Sequence, residues 1–269
     1  MNGDAGLDQA IRASGGTKPR ARALDVTAPT ASSWRHIPEH DFPGETLTHV
    51  ARNTLLPDRH PGTPLPDDDG AATAVRDETD LARAQEYAML AALLLRPPDA
   101  QTLARLSRLQ ESETPLGRAH AALAEAASAA VAETVEREYF ELFIGVGRSE
   151  LLPYASYYLT GFLNERPLAG LRGDLRRLGL ERAEGHFDPE DHLGTLCEIM
   201  SGFCGGAFEA SAAEERAFFD RHLSPWAGRC FADLENASLA GFYRSVGAVG
   251  RIFIDIEAEG FAMEARTGA

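Results

Sequence analysis

Cysteine is scarce in this chain of 269 residues, with three (Cys197, Cys204, Cys230) and no C-x-x-C pair. An odd number without paired spacing indicates neither a disulfide framework nor a zinc knuckle. Cys197 and Cys204, seven apart, share one helix face and read as small buried apolar residues in a reducing compartment. Positive charge is also short. With 26 basic against 41 acidic residues the net charge is −15, which argues against a phosphate-backbone binder and suits a basic partner. No run approaches the 18 or more apolar residues of a membrane span, and the N-terminus lacks a secretory apolar core. The expectation is a cytoplasmic protein without stable membrane insertion or nucleic-acid binding.

Catalytic signatures are missing too. G-x-G-x-x-G and G-x-x-x-x-G-K-[ST] are absent; Gly145-Val146-Gly147 is a lone fragment. Ser156 lies in P-Y-A-S-Y without a G-x-S-x-G elbow, and Cys197 sits in mid-stripe. A di-iron bundle repeats E-x-x-H, whereas Glu190 and His192 are two apart and would point to different faces of a helix; Glu214 and His222 stand isolated. No enzyme, cofactor or metal is expected.

What is present divides in two. Eight of the fifteen prolines (Pro19, Pro29, Pro38, Pro43, Pro57, Pro61, Pro64 and Pro66) precede residue 70, among Gly, Asp, Thr and Ser. Residues 1–78 therefore read as a disordered extension. Within it, ETLTHVARNTLL at about residues 44–55 is a weakly helical patch and a candidate docking segment.

Residues 79–269 read as one all-α domain of roughly nine helices with short connections. TDLARAQEYAMLAALLL runs from a capping Thr-Asp to Pro97-Pro98. Leu103, Leu106 and Leu109 mark a second helix. TPLGRAHAALAEAASAAVAETVEREYFELFIG reads as one long helix ending near Gly145, with Val135, Tyr139, Leu142 and Phe143 on one stripe. ASYYLTGFLNE, PLAGLRGDLRRL, AEERAFFDRHL and PWAGRCFADLENA supply four more, Trp226 packing the last against the bundle. Leu193, Leu196, Met200 and Phe203 form another stripe, as do Leu239, Phe242, Val246, Val249 and Phe253 in the closing helix. Between these, Asp188-Pro189 has the form of an N-cap followed by an N1 proline, with Glu190 and Asp191 complementing a helix dipole.

The order Y-x-x-L-F-x-G (Tyr139, Leu142, Phe143, Gly145), P-x-x-S-x-Y (Pro153, Ser156, Tyr157) and P-E-D-H (Pro189 to His192) resembles the TorD/DmsD family of chaperones for molybdenum-containing redox enzymes. The resemblance covers about residues 79–262. It departs at the turn after Phe143, which reads G-V-G-R where many relatives carry Gly-Pro, and in the long extension. It implies a cytoplasmic, non-catalytic monomer or homodimer. Such a chaperone binds the twin-arginine signal peptide and the apo form of a molybdoenzyme catalytic subunit, assisting cofactor insertion and delaying export. The P-Y-A-S-Y-Y-L-T-G-F-L stretch resembles versions associated with formate dehydrogenase.

The implied client-binding residues are Tyr139, Leu142, Phe143, Pro153, Ser156, Tyr157, Glu190, Asp191 and His192. A groove between helices would take the apolar part of a leader, and an acidic lip at Glu190 and Asp191 would take a guanidinium in a bidentate fork. His192 would bond the peptide backbone or repel its basic head when protonated. An open lip would let Asp191 and His192 be replaced by alanine without unfolding. The alternative is a helical interaction or regulatory module of the same architecture that binds no signal peptide.

Overall fold

The computed structural model describes residues 78–146, 149–180 and 189–267. All of the proline-rich extension except Glu78 lies outside the described residues, and so does Asp188. Among the described residues there are ten α-helices and no strand, so the all-α reading holds with one helix more than expected. They are α1 (Glu78–Leu95), α2 (Ala100–Leu106), α3 (Pro115–Ala129), α4 (Ala132–Tyr139), α5 (Ala155–Thr160), α6 (Arg166–Arg177), α7 (Leu193–Cys204), α8 (Ala212–His222), α9 (Ala227–Asn236) and α10 (Phe242–Thr267).

The additional helix arises where the alanine-rich stretch was expected to run unbroken. Ala130 and Val131 are extended (ψ 147° and 129°), which ends α3 and starts α4. Neither Gly nor Pro marks the break. The change of direction buries Val135 and Leu142 in the core and leaves Tyr139 half-buried against it. The last turn of α4 widens into a π-helical turn, Phe140–Ile144, which Gly145 closes at φ 62° with its N–H on the Phe140 carbonyl at 2.7 Å. That left-handed conformation favours glycine.

The core forms around α7, which is apolar on all sides, and among its residues Glu198 alone is not buried. Packed along it, α1 contributes Tyr87, Leu90 and Leu94. On the other side α10 lies along α9 and α3 and buries Phe242, Val246, Val249 and Phe253, the stripe read from the sequence. Leu239 precedes that helix and is exposed. Cys197 and Cys204 are fully buried, and burial pushes both thiols up, to beyond the ordinary cysteine range. Trp226 fastens α9 as expected, and its Nε1–H donates to the His222 carbonyl at 2.7 Å. His222 itself is not isolated, for its Nε2 lies 2.8 Å from Asp174 Oδ2 and ties α8 to α6.

The start of α7 differs from the sequence reading. Pro189, Glu190 and Asp191 form a turn, and the helix begins four residues after Pro189 at Leu193. His192 is the N-cap, its Nδ1 accepting the Gly194 N–H at 3.1 Å. The delay has a physical cause. His192 is extended (ψ 136°) because it pairs with Tyr154 in an isolated antiparallel bridge, which a helical residue cannot do.

Candidate functional site

That bridge joins the two motif segments the sequence singled out. The Leu193 N–H donates to the Pro153 carbonyl at 2.8 Å, and the Ala155 N–H to the Asp191 carbonyl at 2.9 Å. Asp191 Oδ2 then accepts the Ser156 N–H at 2.8 Å. α5 has six residues, and its own N-cap, Tyr154, supplies no side-chain capping hydrogen bond. A carboxylate 35 residues away thus does the capping, in the place where an anion offsets the exposed N–H groups of a first turn. The Tyr154 and His192 rings meet edge to face at 5.0 Å. On the far side of α5, Ser156 Oγ accepts the Glu165 N–H at 3.2 Å, fixing the start of α6.

This geometry corrects the expected acidic lip. Asp191 is 1% exposed and His192 7%, so neither side chain faces solvent. A buried carboxylate already engaged by a backbone N–H does not offer an open fork to an incoming guanidinium. The carboxylate nearer solvent at this corner is Glu190, half-buried with its side chain 15% exposed, and it carries an ion pair with Arg172 of α6 at 2.8 Å. Asp191 and His192 are therefore not removable without consequence. Asp191→Ala is expected to leave the buried Ser156 N–H unpaired and to lower unfolding stability by about 1–3 kcal/mol. Urea titration of the purified variant checks this, and an unchanged midpoint would show that the cap contributes nothing.

The aromatic residues of the first motif lie at the other end of the same seam. Leu142 is buried, and its carbonyl accepts the Leu151 N–H at 2.9 Å, linking the π turn to the segment that leads to Pro153. Tyr139 and Phe143 are half-buried with ring centroids 5.0 Å apart, and both pack on Tyr243 of α10, at 5.9 and 5.4 Å. Pro153 and Ser156 are buried, while Tyr157 is half-buried. The nine residues thus form one contiguous seam with Tyr139, Phe143, Tyr157 and Glu190 toward its surface and the other five within.

Several participants carry no local sequence signal. Glu138 accepts three backbone N–H groups at the start of α10, from Gly241 (2.8 Å), Phe242 (3.0 Å) and Tyr243 (2.8 Å). Glu150 accepts from Ser238 N–H at 2.6 Å and Leu239 N–H at 3.1 Å. Burial pushes the Glu150 carboxyl up, but these donors outweigh it and hold the group below its ordinary range. Together the two glutamates moor the seam to the base of α10. Large apolar side chains left in solvent flank it: Phe140 (41% exposed), Ile144 (57%) and Val146 (94%) at the π turn, and Leu159 near the end of α5 with Phe162 and Leu163 after it. A shallow concavity of about 410 Å³ between α8 and the end of α10 lies away from the seam. No group of three or more His, Cys, Asp or Glu side chains fit for a metal occurs among the described residues.

Comparison with known proteins agrees with these motifs. Residues 109–232, from the α2–α3 connection into α9, match the family model described as nitrate reductase delta subunit. The chain is 24% identical over 137 residues to the chaperone protein TorD of Aliivibrio fischeri, covering 47% of this chain and 64% of that one. A Vibrio atlanticus TorD is 23% identical over the same coverage, and that of Vibrio vulnificus 28% over 89 residues, 32% of this chain and 41% of its own. The match thus spans less than two thirds of the length of these relatives, each of which is named a chaperone rather than an enzyme. The family model, the relatives and the motif seam together make the chain similar to the TorD/DmsD family.

Proposed function

We propose that this protein is a cytoplasmic maturation chaperone which binds the twin-arginine signal peptide and the apo form of a molybdoenzyme catalytic subunit, formate dehydrogenase being the candidate client. The observation that carries this reading is the seam itself. Two motif segments 35 residues apart are tied by a β-bridge and a buried carboxylate, and the surface they fix is bordered by solvent-facing Phe140 and Ile144. An exported leader has a basic head and an apolar stretch. The apolar stretch lies along the π turn, over Tyr139 and Phe143; the guanidinium head reaches Glu190, displacing Arg172 from its carboxylate. In this reading Tyr139, Phe143, Tyr157 and Glu190 touch the peptide, whereas Leu142, Pro153, Ser156, Asp191 and His192 hold that surface in shape. No described helix is long and apolar enough to cross a membrane.

The test is a titration of the full chain with a labelled peptide carrying an Arg-Arg head and an apolar stretch from a formate dehydrogenase leader. Micromolar binding is expected, with Glu190→Gln and Tyr157→Ala each weakening it on the order of fivefold to tenfold. A scrambled peptide binding equally well, or no binding at all, would overturn the reading and leave a helical interaction module of the same architecture.

A further inference from the structure

The surface at the π turn poses a question that a client peptide does not answer. Phe140 and Ile144 stand four apart on the widened turn with Val146 just beyond, so three large apolar side chains face solvent within seven residues. Scattered exposed apolar residues are ordinary in a soluble protein; a contiguous group marks a surface that something covers. A client passes through only transiently.

The chain itself contains a cover. In the 77 residues that precede α1, one stretch carries Leu47, Val50, Ala51 and Leu55 at a helical apolar period, i, i+3, i+4 and i+8. Its charged residues are Glu45 at one end and Arg52 toward the other, with His49 between them, so the cation sits beside Val50 and Leu55. The face at the π turn is edged by exposed Glu136 and Glu141, with Arg137 as a cation between them. Distance is no obstacle. The 22 residues between Leu55 and Glu78 reach up to about 75 Å, while a domain of about 180 residues has a radius of gyration of about 16 Å. Tethering at that length gives an effective concentration approaching the millimolar range, so a contact too weak to hold as two molecules is populated within one.

We infer that residues 44–55 of this chain dock their Leu47–Val50–Leu55 stripe on the Phe140–Ile144–Val146 face and cover it when no client is present. The segment joins apolar groups to a cation, the same combination that a leader offers. Where it competes with a leader, the inference rests on the function proposed above; the docking does not.

The experiment uses the full chain. All three native cysteines are buried, so introduced surface cysteines react selectively. Asn53→Cys is paired with Glu141→Cys beside the face, or with Ala213→Cys on α8 as a control, and each is treated with a short bis-maleimide at micromolar protein. An intrachain product at least fivefold in favour of Glu141→Cys, and abolished by Leu47→Asp with Val50→Asp, is expected. Equal yields with both partners would overturn the docking, and so would a product formed only between chains, which would assign the cover to a second copy. Leader titration separates the two readings. Leu47→Asp with Val50→Asp should tighten the leader peptide about tenfold, because removing a competitor that occupies about nine tenths of the sites raises apparent affinity by that factor. If the crosslink behaves as expected but leader affinity does not move, the docking stands and the π turn is not where a leader binds.

Discussion

Replacing Arg83 with methionine is expected to lower unfolding stability by about 3–5 kcal/mol, a large share of what a domain of this size has. The guanidinium of α1 sits between two carboxylates that hardly see water. Its Nε and Nη2 donate to the two oxygens of Glu257 on α10 at 2.7 and 2.8 Å, and Nη2 also donates to Glu215 of α8 at 2.7 Å. The Glu257 and Glu215 side chains are 4% and 6% exposed. Tyr87 adds a hydroxyl donor to Glu257 at 2.9 Å, and the Cys204 thiol one to Glu215 at 3.4 Å. Burial works against the charge on Arg83, but the Glu257 hydrogen bonds and the surrounding carboxylates outweigh it and keep the group protonated, its pKa raised. Without the cation, two negative charges remain in the core with one hydroxyl and one thiol between them. Lysine is no substitute, since a single ammonium cannot bridge both carboxylates in a planar fork. The loss therefore belongs to the orphaned carboxylates more than to the ion pair. Changing Arg83→Met, Glu215→Leu and Glu257→Leu together should recover most of it, because apolar side chains of similar volume often replace a buried ionic cluster at little cost. Urea midpoints of the single and triple variants decide the matter; a single-variant loss below about 1 kcal/mol would show the carboxylates to be solvated.

Arg83 also shows where sequence reading stops. That α1 is a helix with a buried face was legible from its apolar spacing, as were the α7 stripe of Leu193, Leu196, Met200 and Phe203 and the burial of Cys197 and Cys204. Those are properties of periodicity within one element. Besides Asp80 one turn back, the buried partners of Arg83 lie 132 and 174 residues away, and nothing local announces those two. Asp191 is the sharper case. Its neighbourhood carries the chemistry of a helix start, and it does cap a helix, but the helix is α5, reached across 35 residues, rather than the one that follows it in sequence. The local signal was sound and its target was tertiary. The α3–α4 break had no signal of any kind, because Ala130 and Val131 are not breakers and packing of Val135 and Leu142 overrides their propensity. Glu138 looked like one more surface carboxylate in a Glu-rich helix until α10 came to rest on it.

Gly247→Ala should destabilise the protein by about 3 kcal/mol, although alanine is the better helix former by about 1 kcal/mol. A methyl group at Gly247 would overlap the Glu235 backbone nitrogen and lie 2.8 Å from the Phe231 carbonyl oxygen. Both belong to the backbone of α9, so no side-chain rotation relieves the overlap, and the two helices must part. One turn on, a methyl group at Gly250 would run into the Phe231 ring, which shows that the close approach extends along the crossing. The same helix supplies its own control. A methyl group at Gly260 would meet no neighbour within 4 Å, so Gly260→Ala should gain about 0.5–1 kcal/mol. Opposite signs for one substitution on one helix, read from urea midpoints, separate contact from propensity, and two gains would mean that α9 and α10 are not so close. The consequence reaches the seam. Tyr243, four residues before Gly247, carries the rings of Tyr139 and Phe143 and is held by Glu138. Driving α10 away from α9 tilts that support, so on the proposed function Gly247→Ala should weaken leader binding even at temperatures where it remains folded, whereas Gly260→Ala, remote from Tyr243, should leave binding unchanged.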